Sequence, residues 1–148
     1  MRALLLAFLT CGLLTSVDDS APKGDLAELQ GTWKGKAGPP DEEVQLTMVV
    51  EGDAVTETIT MDNGEEHTNK AKLKLDDKAS PKAMDLVDFE RQPGSKSPPP
   101  SPRIYELKGD TLKVCCGHND SSPRPTEFKT GGEGRDYTIV ITLKRPKE

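Results

Sequence analysis

The stretch Lys113-Val114-Cys115-Cys116-Gly117-His118 puts two adjacent thiols and an imidazole side by side, the residue types that hold zinc or run thiol chemistry. A structural zinc site needs ligands converging at about 2.0–2.3 Å, usually from cysteines two to four residues apart so that both sulfurs turn the same way. Adjacent residues of a strand turn to opposite faces. Alternation from Leu112 and Val114 sends Cys116 inward as a small core residue and leaves Cys115 outward with Lys113 as a partly exposed thiol. His118 opens the next loop, and His67 sits near a different turn. The sequence therefore implies no metal centre. A disulfide between neighbours would strain the strand. In an oxidising compartment Cys115 is instead placed for an intermolecular disulfide.

The other chemistry-bearing candidate is Glu57, whose strand parity puts its carboxylate with the apolar Val55 and Ile59. A carboxylate on an apolar face acquires a raised pKa and a role in a site, or else marks a barrel mouth or a bulge. No Gly-x-Ser-x-Gly elbow, His-Glu-x-x-His pair or phosphate-cradling glycine loop accompanies it. The segment Thr130-Gly131-Gly132-Glu133-Gly134-Arg135-Asp136 is glycine-rich but joins two strands rather than opening a helix, so it reads as a hairpin loop. The expectation is a protein that is no enzyme and carries no cofactor.

The elements that must position these residues have a period of two. Leu46, Met48 and Val50 share one face of a strand, the chain turns at Gly52-Asp53, and Val55, Ile59 and Met61 share the face of the next. Asn63-Gly64 forms a second tight turn. Ala71, Leu73 and Leu75 then alternate with Lys70, Lys72 and Lys74, a half-solvated antiparallel strand. Residues 82–89, a hairpin about Gly109-Asp110, a short strand at 125–129 and a last strand from Tyr137 to Arg145 complete the set. Before them, residues 25–30 read as a helical turn.

Eight or nine short strands with almost no helix predict an all-β, antiparallel up-and-down barrel, because an open sheet of that length leaves two exposed edges. The segment 92–103 holds five prolines and reads as a stiff surface loop outside the ladders, and 117–125 is similarly rich in turn formers.

The first residues read as a secretory leader: Arg2, an apolar run from Ala3 to Leu14, then a polar switch. That run is well short of the roughly 20 residues a membrane-spanning helix needs. Cleavage falls between Ser16 and Ala21. Cys11 follows Phe8-Leu9-Thr10, with Thr where a lipoprotein cysteine follows Gly or Ala, so lipidation is not expected. The organisation is then a signal peptide over 1–21, a linker and helical turn over 22–28, and one barrel domain over 29–148. The formal net charge of −5 and the implied export argue against a nucleic-acid partner, whose phosphates require a basic face. The expected location is periplasmic or extracellular, without a stable membrane span, as a monomer.

Gly31 and Trp33, in a segment Asp25-Leu26-Ala27-Glu28-Leu29-Gln30-Gly31-Thr32-Trp33-Lys34 that opens a β-only chain, resemble the Gly-x-Trp signature of lipocalin and calycin barrels. The resemblance implies that a basic residue of the last strand stacks on the Trp, and the parity of Tyr137, Ile139, Ile141 and Leu143 reaches Arg145. The chain also resembles a family of uncharacterised small exported lipocalin-like domains abundant in planctomycete bacteria. The segments that carry this are 25–34, 49–53, 80–86, 104–115 and 124–128, in the family's order. That family brings no activity with it. The expected function is binding of a small apolar or amphipathic molecule inside the barrel, lined by Trp33, Met48, Glu57, Ile59, Leu73, Tyr105, Phe128 and Tyr137. The alternative is a filled barrel that presents its Pro-rich and Gly-rich loops to a partner protein of the cell envelope.

Overall fold

The computed structural model describes residues 21–38, 41–90, 98–119 and 122–147; the N-terminal apolar run with Cys11, read above as a leader, and residues 92–97 of the Pro-rich loop lie outside them. Within them a helical turn, Asp25–Glu28, precedes eight strands: β1 Gly31–Ala37, β2 Val44–Glu51, β3 Ala54–Thr60, β4 Glu66–Asp76, β5 Lys82–Glu90, β6 Ser101–Lys108, β7 Thr111–Gly117 and β8 Thr138–Lys144. Each strand pairs antiparallel with the next, and β8 returns to β1, so the sheet closes into an up-and-down barrel with no free edge. Closure is shortest at that last seam, where only Lys34 to Lys36 pair with Thr142 to Lys144.

The lumen is built by strand parity. Trp33, Met48, Val50, Val55, Leu73, Met84, Tyr105, Leu112 and Leu143 all turn inward and are buried, while Lys70, Lys72 and Lys74 stay outside on β4. On β5 the alternation breaks. Asp88 takes a left-handed φ of 52° and the β4–β5 register shifts between Lys70 and Lys72, so Phe89 joins Met84 and Leu86 inside.

Two expectations need correcting. Residues 125–129 form no strand, because Pro123 and Pro125 withdraw the donors a ladder needs and the segment lies across the outside of the wall instead. Conversely, β6 begins at Ser101, inside the expected Pro-rich loop. Pro102 sits opposite Asp85 of β5. It is tolerated because β7 pairs with β6 only from Arg103 onward. Among the described residues no helix is long and apolar enough to cross a membrane.

Candidate functional site

Inward parity on β3 delivers Glu57, and the same parity on β6, counted back from Leu107 and Tyr105, delivers Arg103. These strands face each other across the barrel, three strands apart in either the sequence or the sheet order. Arg103 Nη1 donates to Glu57 Oε1 at 2.5 Å and Nη2 to Oε2 at 3.2 Å, an end-on bidentate pair that spans the lumen. Both residues are nearly buried, at 8 % and 7 % exposed. Burial disfavours the Arg103 cation and is the largest single influence, but the Glu57 charge, Cys116 and the hydrogen bond to Glu57 together outweigh it, and the guanidinium titrates above its ordinary range. Its Nε donates to Ser101 Oγ at 3.3 Å, on the mouth side. Arg103 escaped the sequence reading because it was assigned to the end of a loop. The signal was present: it is the inward cation that the inward carboxylate requires.

The pair crosses the lumen between the two ends of the barrel. At the level of the pair and toward the helical turn, Trp33, Met84 and Leu112 are 0 % exposed and Met48 and Tyr105 1 %, with Leu75 and Leu107 half-buried beside them. Trp33, Met48, Leu73 and Tyr105, expected to line a ligand site, instead pack against one another as a filled base. On the mouth side Leu46, Leu86 and Phe89 are buried as well, while Ile59, Ser101, Tyr137 and Ile139 are half-buried. Cys116, opposite Arg103 on β7, lies beside the pair; burial raises its thiol pKa more than Arg103 lowers it.

The filled base is sealed by polar contacts. Arg145 stacks over the Trp33 ring at 4.1 Å and donates through Nη1 to Gln30 O at 2.7 Å and through Nη2 to Glu28 O. Trp33 Nε1 donates to Leu29 O at 2.8 Å. Asp25 Oδ2 accepts from Lys82 Nζ at 2.6 Å and from Tyr105 Oη at 2.7 Å. Burial pushes the Asp25 pKa up, but these two donors bring it below its ordinary range. The Tyr105 hydroxyl is pushed up, by burial first and by Asp25 second.

The remaining candidates lie outside the lumen or at its rim. Phe128 is on the outer wall, 5.7 Å from the outward Lys113 Nζ, because residues 122–131 run across the outside of β6 and β7 as a strap. The same strap corrects the reading of Cys115. Its sulfur does turn outward, yet it is 0 % exposed and 3.9 Å from Lys129 O, beside the equally covered Ile104. Burial raises the Cys115 pKa. The thiol is therefore not presented for an intermolecular disulfide. Arg124 ties the strap down, donating to Arg103 O at 2.8 Å, and its Nη2 lies 2.7 Å from Asp85 Oδ1 without the alignment of a hydrogen bond. Tyr137 sits just before β8, edge-on to His118 at 5.7 Å between centroids. His67 lies 3.4 Å from Glu65 on the surface.

A concavity of about 550 Å³ lies on the outer wall, between the β4–β5 turn and the strap, lined by Lys74, Asp85, Ile104, Arg124 and Pro125 among others. Among the described residues no three His, Cys, Asp or Glu side chains gather as a metal site. Compared with protein-family models, curated proteins and solved structures, the chain matches none, and the site is read from its own geometry.

Proposed function

We propose that this is an exported, non-enzymatic lipocalin-like barrel that binds a small apolar or amphipathic molecule in the mouth half of its lumen. The observation that carries the reading is the set of half-buried apolar side chains, Ile59 and Ile139, that stands toward the mouth from the buried Glu57–Arg103 pair. Such an arrangement offers apolar surface to a guest small enough to rest on the pair. Isothermal titration of the mature protein with a series of alkyl amphiphiles tests it. Binding is expected, and Ile59→Glu or Ile139→Glu should weaken it by at least tenfold; absence of binding across the whole series would sink the proposal.

A second reading, a filled barrel that docks an envelope protein through its outer wall, is favoured by the 550 Å³ groove beside the strap. It predicts that Thr126→Arg, in the rim of that groove, abolishes capture of a specific envelope protein while Ile59→Glu does not.

A further inference from the structure

Resting on the mouth-half reading, we propose that Arg103 is the receptor for the guest's polar head, and that the head it takes is a neutral carbonyl such as an amide or ester. A guanidinium has five N–H donors, four of them arranged as two forks. The end-on fork, one hydrogen each from Nη1 and Nη2, is occupied by Glu57. The side fork, formed by Nε and the second hydrogen of Nη2, carries only the 3.3 Å bond to Ser101 Oγ. Among the described residues the second Nη2 hydrogen has no partner, in a side chain only 10 % exposed. A buried donor without an acceptor is costly, and an acceptor supplied by a guest removes that cost.

The direction of the side fork follows from the chain. Ser101 is the first residue of β6 and precedes Arg103 toward the mouth, on the same inward face. An oxygen arriving from the mouth meets Nε and Nη2 while its apolar body remains against Ile59 and Ile139. Charge selects the kind of oxygen. Glu57 already neutralises Arg103, so a carboxylate head would add an uncompensated negative charge to a largely water-excluded site, whereas a carbonyl adds none.

The test uses the mature full-length protein and four probes with one alkyl chain: decanamide, methyl decanoate, decanoate and decane. The amide and ester should bind on the order of tenfold or more tighter than decane, the difference one charge-assisted hydrogen bond makes, and tighter than decanoate. The Arg103 Nε–H resonance in a ¹H–¹⁵N spectrum should shift with the amide and stay in place with decane. The double variant Glu57→Leu/Arg103→Met keeps an apolar lumen and should bind all four without preference for the carbonyl. Equal affinity for amide and decane overturns the head-group assignment while leaving mouth-half binding intact. Tighter binding of decanoate overturns the charge argument, and failure of all four to bind overturns both proposals.

Discussion

Trp33 has no exposed surface, and the groups that cover it come from both ends of the domain: Leu29 and Gln30 before it, and Arg145 after β8. Trp33→Ala should cost about 3–5 kcal/mol in urea denaturation, since the filled base cannot collapse into the space left. Arg145→Lys is the sharper comparison. Lysine keeps the charge over the ring but loses the planar fork that donates to Gln30 O and Glu28 O, so about 1 kcal/mol should be lost although the net charge is unchanged. A lysine variant as stable as the parent would mean that stacking alone holds the seal. This pair was legible because the resemblance to Gly-x-Trp barrels implied it, and parity within the last strand, carrying from Tyr137 to Arg145, permitted it. Glu57 and Arg103 were half legible: the carboxylate stood out among apolar neighbours, but its partner required knowing which strand lies across the lumen. Cys115 was legible in direction and not in burial, since alternation says which way a side chain turns and nothing about what later covers it. Neither Cys115 nor Cys116 should therefore react quickly with a thiol-specific disulfide reagent in the native protein. Arg124→Ala, which loosens the strap, should speed labelling of Cys115 over Cys116 as mapped by mass spectrometry. A fast-reacting Cys115 in the unaltered chain would show that the strap does not cover it.

The elements differ in how they are held, and that difference decided which of them sequence reasoning could find. Seven adjacent strand pairs follow chain order, and where a short turn joins them, as in β2–β3 and β6–β7, local alternation and the turn fix the hairpin. The strap follows neither rule. It is held by Arg124, by Thr130 Oγ1 accepting from Val140 N at 3.1 Å, and by the Gly131–Thr138 bridge, contacts between residues whose types give no periodic signal. The β8–β1 seam is likewise non-local and depends on one residue without a side chain. A Cβ on Gly35 would lie 2.2 Å from Thr142 O, a backbone atom that cannot move without parting the strands. Gly35→Ala should destabilise by about 1–3 kcal/mol through overpacking at this closure. At Gly52 a Cβ meets no atom within 4 Å, but φ is +64°, so Gly52→Ala should cost only about 1 kcal/mol of backbone strain. Thermal unfolding of both variants separates the two mechanisms; a Gly35→Ala protein as stable as the parent would show that the seam is looser than the pairing implies.

Inside the barrel, charged side chains are drawn into hydrogen bonds at two levels, the sealed end and mid-lumen. At the sealed end, Asp25 titrates below its ordinary value of about 3.9, so its contribution is present above that pH and is lost as pH falls through the lowered folded value. Tyr105 and Lys82 titrate above their ordinary values near 10, so theirs is present below that and lost as pH rises through the raised folded values. The stability gap between the parent and Asp25→Asn should accordingly be widest in the neutral range and narrow in acid below about pH 4; a gap unchanged down to pH 2 would rule out this linkage. In mid-lumen the Glu57–Arg103 pair is tested by removing its members. Glu57→Leu strands a buried cation and should cost about 3–5 kcal/mol, with Arg103→Met similarly destabilising, while the double variant should be neutral or up to about 4 kcal/mol more stable than the parent. A double-mutant cycle read by urea denaturation should therefore show strong coupling, and additive singles would mean that water reaches the pair freely. If the double variant gains stability yet loses its preference for a carbonyl guest, the ion pair contributes recognition at the expense of stability. A barrel that could have filled its lumen with leucine and methionine then keeps a polar crossbar because something has to bind to it.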